Sequence, residues 1–285
     1  MAEPATPLHA VDSDPLFSPR PTTSVVNVTP ALAQAWLEHN TGNRKYKDRE
    51  IDRYARDMAA GRWKLTGESI KFSRELRLLD GQNRLAAVIK SGATVPMFVT
   101  RGLDDDSQRV MDTGAKRNSA DDLGMHGEKH ASTLAAVCRL AIAAETVGIE
   151  RQGSLSVSNL EIVEFLEANP DIRDAVQVAR EFARQMDAYP TVVAYAYWKL
   201  SALDPWEAAS FFEAAASKVG LNEGDPVLAM TKRFAEARRN RERLPHAVQL
   251  SVIYRVWNAR REGKTMRFVR IRSPKSGDVP IPEPK

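Results

Sequence analysis

The sequence has a single cysteine, Cys138, and no long uninterrupted apolar stretch. One cysteine excludes an intrachain disulfide framework and a zinc site built from several cysteines, and it favours a reducing, cytoplasmic setting. No apolar run approaches the roughly 20 residues of a membrane-spanning helix, so no membrane partner is expected. The N-terminus lacks a basic segment followed by an apolar one, which argues against a secretory signal.

An excess of charge is also missing: 41 Lys and Arg stand against 37 Asp and Glu, giving a net charge of +4. Bulk charge therefore does not by itself indicate a nucleic-acid partner, and local basic clusters must carry that hypothesis. Two clusters predict contacts to DNA phosphates, one with Arg44, Lys45 and Lys47 and one with Arg238, Arg239, Arg241 and Arg243. Because acidic residues are interspersed, solvated helix faces are the alternative interpretation.

The character of the sequence changes along the chain. Residues 1–23 predict a flexible arm, and residues 24–125 alternate strand and helix patterns. Residues 126–265 read as helices throughout, and residues 266–285 form a basic, Pro-containing tail that is also expected to be flexible. The predicted fold class is therefore α+β, with a mixed N-terminal domain followed by an all-α domain.

Helix starts are marked by side chains that can cap them. The four predicted N-caps are Thr29, Ser158, Asp204 and Asp225, with Glu161 completing a capping box at Ser158. Aromatic residues within the helices are predicted to be core, among them Trp206, Phe211, Phe212, Tyr254 and Trp257.

The stretch "LLDGQNRLAAV" joins a predicted strand directly to a predicted helix. The first N–H groups of a helix lack internal partners and lie at its positive end, so Gly81, Gln82, Asn83 and Arg84 form a candidate anion cradle. A plain turn, with Asp80 as helix cap and Arg84 paired to a surface carboxylate, explains the same residues equally well.

Three further groups of residues are candidates for chemistry. Asp112, Thr113, Gly114 and Arg117 form a second polar stretch that could approach a nucleotide, and a helix that ends at Gly114, with Asp112 and Arg117 paired locally, is the alternative. Glu68, Asp80 and Asp112 are candidate catalytic acids, which would require Mg²⁺. His126 and His130 have helical spacing, but no third ligand is near and no metal site is predicted there.

These motifs resemble those of the ParB/sulfiredoxin-like superfamily, especially its phage and actinobacterial branch, in which DGQHRLAA is a close variant. "REIDRYARDMAAGRWKLTGESIKF" is similar to the segment before that signature, "VMDTGAKRNSADDL" to a motif after it, and "VWNARREG" to a Trp-Asn segment near the C-terminus. The resemblance implies a ParB/sulfiredoxin-like domain at residues 24–125.

The resemblance also implies a use for the turn. In ParB the equivalent residues hold the phosphates of CTP, and in related free serine kinases they act on ADP. Gln82 stands where sulfiredoxin has its catalytic Cys and where ParB has the Glu tied to hydrolysis. A neutral amide cannot act as a general base, so binding at Gly81 and Arg84 is expected rather than that chemistry.

Three functions remain open from the sequence. The first is a DNA-associated protein, phage-related, whose ParB-like pocket binds CTP, another nucleotide or a phosphate. The second is an enzyme on the same fold, either a metal-dependent nuclease or a nucleotide-dependent phosphotransferase. The third is a non-catalytic phage regulatory scaffold. The expected partners are DNA, a nucleotide and a second copy of the chain.

Overall fold

The computed structural model describes residues 17–18, 20–43, 45–111, 118–269 and 280–285. The chain forms two compact units that divide between residues 116 and 117. The first is a mixed α+β unit and the second is helical in its described part, as the α+β class predicted. The division lies before residue 125 because the helix Ser119–Met125 contributes Leu123 to the core of the second unit.

The first unit contains a four-stranded sheet in the order β1-β4-β2-β3. The strands are β1 Thr22–Val28, β2 Ser69–Ser73, β3 Leu78–Asp80 and β4 Val95–Leu103. β2 and β4 are parallel, and the other two pairs are antiparallel. β1 begins at Thr22, inside the arm predicted for residues 1–23, most of which lies outside the described residues.

Three helices of this unit contribute to one core with the sheet: α1 Pro30–Leu37, α2 Asp48–Ala59 and α3 Gln82–Ser91. The Thr29 side chain caps α1 by accepting from the Leu32 N–H at 3.1 Å, as predicted. The rings of Trp36 and Phe72 meet edge to face with centroids 5.5 Å apart. Burial of such side chains contributes about 1.5–3 kcal/mol each, and it fixes α1 against the sheet.

The second unit is a set of helices around a separate core. They are α4 Ser119–Met125, α5 Ala131–Thr146, α6 Asn159–Ala168, α7 Ile172–Phe182, α8 Pro190–Ser201, α9 Pro205–Ser217, α10 Pro226–Arg239 and α11 His246–Arg261. Ser158 and Glu161 form the predicted capping box of α6. Asp204 and Asp225 cap α9 and α10, also as predicted.

The prediction that Trp206 belongs to the core is wrong, because Trp206 is 87% exposed. The buried stripe of α9 runs through Ala208, Phe211, Phe212 and Ala215. Trp206 lies two residues before Ala208, and about 100° of rotation per residue puts it on the opposite side of the helix. Tyr254 and Trp257 of α11 are buried as predicted.

The end of the chain lies against the second unit. Residues 280–285 lie along α11 rather than extending as the predicted flexible tail, and Ile281 packs against the core. The other tail residues beyond Val269, 270–279, lie outside the described residues.

Candidate functional site

The predicted cradle lies where β3 ends at Asp80 and α3 begins at Gln82. Gly81 has a φ of +110°, which side chains rarely adopt, and a Cβ there would lie 2.4 Å from Ile70 Cδ1. Glycine is therefore required both by the backbone and by the packing. Gly81, which precedes α3, has no side chain with which to cap the helix, and the first N–H groups of α3 lie at the positive end of its dipole.

Two cations converge on Asp80 beside this helix start. Lys71 Nζ lies 3.0 Å and an Arg84 guanidinium nitrogen 3.1 Å from the same carboxylate oxygen, and Arg84 also donates to the Ser69 carbonyl at 2.9 Å. Burial alone would raise the pKa of Asp80, but the charges of Arg84 and Lys71 and a hydrogen bond from the Gly81 N–H lower it below its usual value. The cluster thus has two positive charges for one negative charge.

Gln82 and Asn83 connect the helix start to the segment between α1 and α2. Gln82 Oε1 accepts from Asn40 Nδ2 at 3.0 Å. Asn83 Oδ1 accepts from the Lys47 N–H, and its Nδ2 donates to Glu50, both at 3.3 Å. The two residues are only 6% and 7% exposed. The side-chain amides of Gln82 and Asn83 therefore hold the basic segment in place. Contact between these two side chains and a ligand stays a prediction.

Part of the first basic cluster lies next to this helix start as a result. Lys45 and Lys47 are exposed, and Lys47 Nζ lies 3.2 Å from Glu50. Tyr46 between them is also exposed, and its hydroxyl accepts from Asn40. Arg44 lies outside the described residues. Asn83 thus joins the predicted cradle to Lys47 of the basic cluster, and Gln82 accepts from Asn40, whose amide also donates to Tyr46.

The candidate catalytic acids are not seen together. Glu68 is exposed just before β2, and Asp80 is paired with two cations. Asp112 lies outside the described residues, as do Thr113, Gly114 and Arg117. Within the part of the chain that the structure describes, no group of three or more His, Cys, Asp or Glu residues could hold a metal ion. His126 and His130 therefore belong to no such group among these residues.

The second basic cluster belongs to the helical unit. Arg238 and Arg239 end α10, Arg241 and Arg243 follow in the next loop, and all four are exposed. Arg238 forms an ion pair with Asp187. Arg239, Arg241 and Arg243 are therefore the better candidates for contacts to phosphate, because the charge of Arg238 is partly neutralised.

Sequence reasoning missed three residues that shape the site: Lys71, Asn40 and Glu50. Lys71 sits between the buried Ile70 and Phe72 in β2, so strand alternation could have placed it on the other face of the sheet. The hydrogen bonds of Asn40 and Glu50 span 42 and 33 residues of sequence. No local pattern indicates contacts of that kind.

Comparison with known proteins adds no family to this picture. No protein-family model, no curated protein and no solved structure matches the chain. Among the described residues, no helix has both the length and the apolar character to cross a membrane. The role of the site is therefore inferred from its geometry and charge.

Proposed function

We propose that the first unit binds a phosphate-bearing ligand at the start of α3, and that the protein is DNA-associated. The ligand is a nucleotide or a phosphate group of DNA. The observation that carries this proposal is the positive charge and the donors gathered at the start of α3: Lys71 and Arg84 lie beside the turn, and Asn83 joins it to the N–H of the exposed Lys47. The resemblance to ParB makes CTP the first nucleotide to test.

The chemistry of the donors fits a phosphate. The first N–H groups of α3 lie at the positive end of the helix, where they can donate to an anion. Arg84 presents a planar fork suited to phosphate oxygens, and Lys71 a compact charge. Because Asp80 already holds both cations, a phosphate must compete with its carboxylate or add to the cluster. Binding is therefore expected to weaken as salt rises.

The decisive experiment is isothermal calorimetry with CTP, ATP, GTP, UTP and inorganic phosphate. We expect one nucleotide to bind, and Arg84→Ala to weaken its binding by about 10-fold or more, since a hydrogen bond to a charged group contributes roughly 1.5–3 kcal/mol. Lys90→Ala is the matched control, because Lys90 is an exposed cation at the opposite end of α3. No binding of any nucleotide or phosphate, or equal losses in the two variants, would contradict the pocket.

DNA association is tested separately with the second basic cluster. The triple variant Arg239→Ala, Arg241→Ala and Arg243→Ala should weaken binding to duplex DNA and reduce the salt dependence by about 0.9 logarithmic units for each phosphate that is no longer neutralised. Lys129, Arg151 and Arg180 are exposed cations elsewhere in the unit, and their replacement by alanine is the charge-matched control. Equal effects of the two triple variants would show that the cluster does not bind the DNA.

The geometry gives less support to the other two functions, an enzyme on the same fold and a non-catalytic scaffold. Metal-dependent nuclease or phosphotransferase chemistry needs carboxylates that converge on Mg²⁺, whereas the carboxylate of Asp80 is engaged by Lys71 and Arg84. A non-catalytic scaffold predicts no ligand at the start of α3. The nucleotide calorimetry separates that function from the proposed one.

A further inference from the structure

Residues 280–285, with the sequence Pro-Ile-Pro-Glu-Pro-Lys, are bound along α11 mainly through their backbone. The Pro280 carbonyl accepts from Ser251 Oγ at 2.8 Å and from Arg255 at 3.3 Å. The Glu283 carbonyl accepts from Asn258 Nδ2, and the Lys285 carbonyl from Trp257 Nε1, both at 2.8 Å. The Lys285 N–H donates in return to Asn258 Oδ1 at 2.8 Å.

The helix presents these groups as one continuous stripe. Ser251, Arg255 and Asn258 on α11, with Glu262 directly after its end, follow one another at intervals of four, three and four residues, which places them on one face of the helix. At about 1.5 Å per helical residue the stripe is about 16 Å long. An extended hexapeptide at about 3.1 Å per residue spans about 15 Å, so the two match along their whole length.

Proline at every second position makes the segment complementary to this stripe. Proline has no N–H, so the hexapeptide carries a carbonyl at each residue but an N–H only at Ile281, Glu283 and Lys285. The helix face offers mostly donors, from Ser251, Arg255, Trp257 and Asn258. A proline also biases the preceding residue toward extended backbone, so little conformational freedom is lost on binding.

Side chains at both ends of the segment add selectivity. Lys285 Nζ lies 2.7 Å from Glu262, and Ile281 packs against the core of the unit. Hydrogen bonds from Lys264 and Lys285, together with the positive charges of both lysines, lower the pKa of Glu262 to about 2. Glu262 also pairs with Lys264, so Lys285 and Ile281 add to the backbone contacts of the segment and do not replace them.

We propose that this face of α11 is a recognition site for segment 280–285 and that it also accepts this segment from a second copy of the chain. Each of these hydrogen bonds is made by atoms of residues 280–285 themselves, and each copy carries the same segment and the same helix face. A segment from a second copy would meet the same donors on this helix face. The proposal is independent of phosphate binding by the first unit.

Two full-length variants test this by complementation. The first, Pro282→Gly with Pro284→Gly, weakens the segment and keeps the helix face. The second, Ser251→Ala with Asn258→Ala, weakens the helix face and keeps the segment. With a different fluorophore on each variant, energy transfer should appear on mixing, and an excess of the synthetic peptide Pro-Ile-Pro-Glu-Pro-Lys amide should remove it.

The control pair is two fluorophore-labelled copies of the Ser251→Ala, Asn258→Ala variant, in which no intact helix face remains. The free peptide should bind the proline variant about 10- to 100-fold more tightly than it binds this double variant, since the hydrogen bonds from Ser251 and Asn258 are lost. Asn240→Ala, placed at the end of α10, is the matched asparagine control and should leave binding unchanged.

Circular dichroism checks that each variant is folded, and Asn258→Asp replaces Asn258→Ala if the latter unfolds, because it keeps the size but cannot donate to Glu283. Energy transfer in the mixed pair that the peptide removes supports the proposal. Absent transfer between folded variants overturns it, as does transfer of equal size in the control pair or transfer that the peptide does not change.

Discussion

The guanidinium of Arg84 lies 3.1 Å from the carboxylate of Asp80, across the turn that joins β3 to α3. Lys71 contacts the same oxygen from β2, so the Asp80 side chain links the first turn of α3 to the neighbouring strand β2. The arrangement fixes the direction in which α3 leaves the sheet. It also keeps two cations beside the positive end of that helix.

The ionisation of Asp80 should make the first unit sensitive to acid. The folded pKa of Asp80 is lowered from its usual 3.8, so its carboxylate stabilises the folded state above that pH, and this contribution is lost as the pH falls through the lower folded value. Between about pH 6 and about pH 3 the free energy of unfolding should therefore fall less in Asp80→Asn than in the wild-type protein. Urea titrations at both pH values measure the difference, and parallel losses would contradict it.

Gly81→Ala should be strongly destabilising. Its Cβ would lie 2.4 Å from Ile70 Cδ1 and the backbone φ of +110° would be strained, so we expect a loss of about 2–4 kcal/mol in the free energy of unfolding. Gly92→Ala, at the other end of α3, is the control, because it has a φ of +69° but no atom within 4 Å of the added Cβ. Chemical denaturation of both variants checks the ranking, and a larger loss at Gly92 would contradict it.

Asn83→Ala should release the basic segment while leaving the sheet intact. The Lys47 N–H loses its acceptor and Glu50 loses a donor, at a cost of about 1–3 kcal/mol to local stability. Hydrogen exchange followed by mass spectrometry should show faster exchange in peptides that contain Lys47 and unchanged exchange in β4. Asn27→Ala, a substitution in β1, is the control and should alter neither region.

Cys138 should be chemically silent in the folded protein. Burial raises the pKa of its thiol to about 12, and the residue is 0% exposed. Ellman's reagent should therefore react with the thiol only after unfolding. Because the folded pKa is raised above the usual 9.0, the unfolded state ionises first and stability should fall as the pH rises above that value. Rapid labelling of the native protein near neutral pH would contradict the burial.

Features that depend on neighbouring residues in the sequence could be predicted, whereas contacts that depend on strand register could not. A helix cap depends on residues within one turn, so Thr29, Ser158, Asp204 and Asp225 could be identified from sequence alone. The contact of Lys71 with Asp80 depends on the register of β2 and β3, which shifts at an irregularity next to Lys71. No periodicity in the sequence encodes that shift.

The docking of residues 280–285 on α11 could not be predicted from the sequence either. The hydrogen bond from Asn258 to the Glu283 carbonyl spans 25 residues, and the alternating prolines of the segment are also typical of an unstructured tail. Only the stripe of polar side chains on α11 distinguishes a docked segment from an unstructured tail. The sequence does not indicate what this stripe binds, and the position of residues 280–285 beside it does.

The outer side of β3 is closed by residues that do not belong to a strand. Asn43 donates to the Leu78 carbonyl at 2.6 Å, Gln108 donates to the Leu79 carbonyl at 2.8 Å, and the Leu78 N–H donates to the His39 carbonyl at 2.9 Å. An incoming strand would have to break these bonds before it could form its own. The sheet is thereby protected at this edge against templated growth, and a misfolded copy would gain little by adding there.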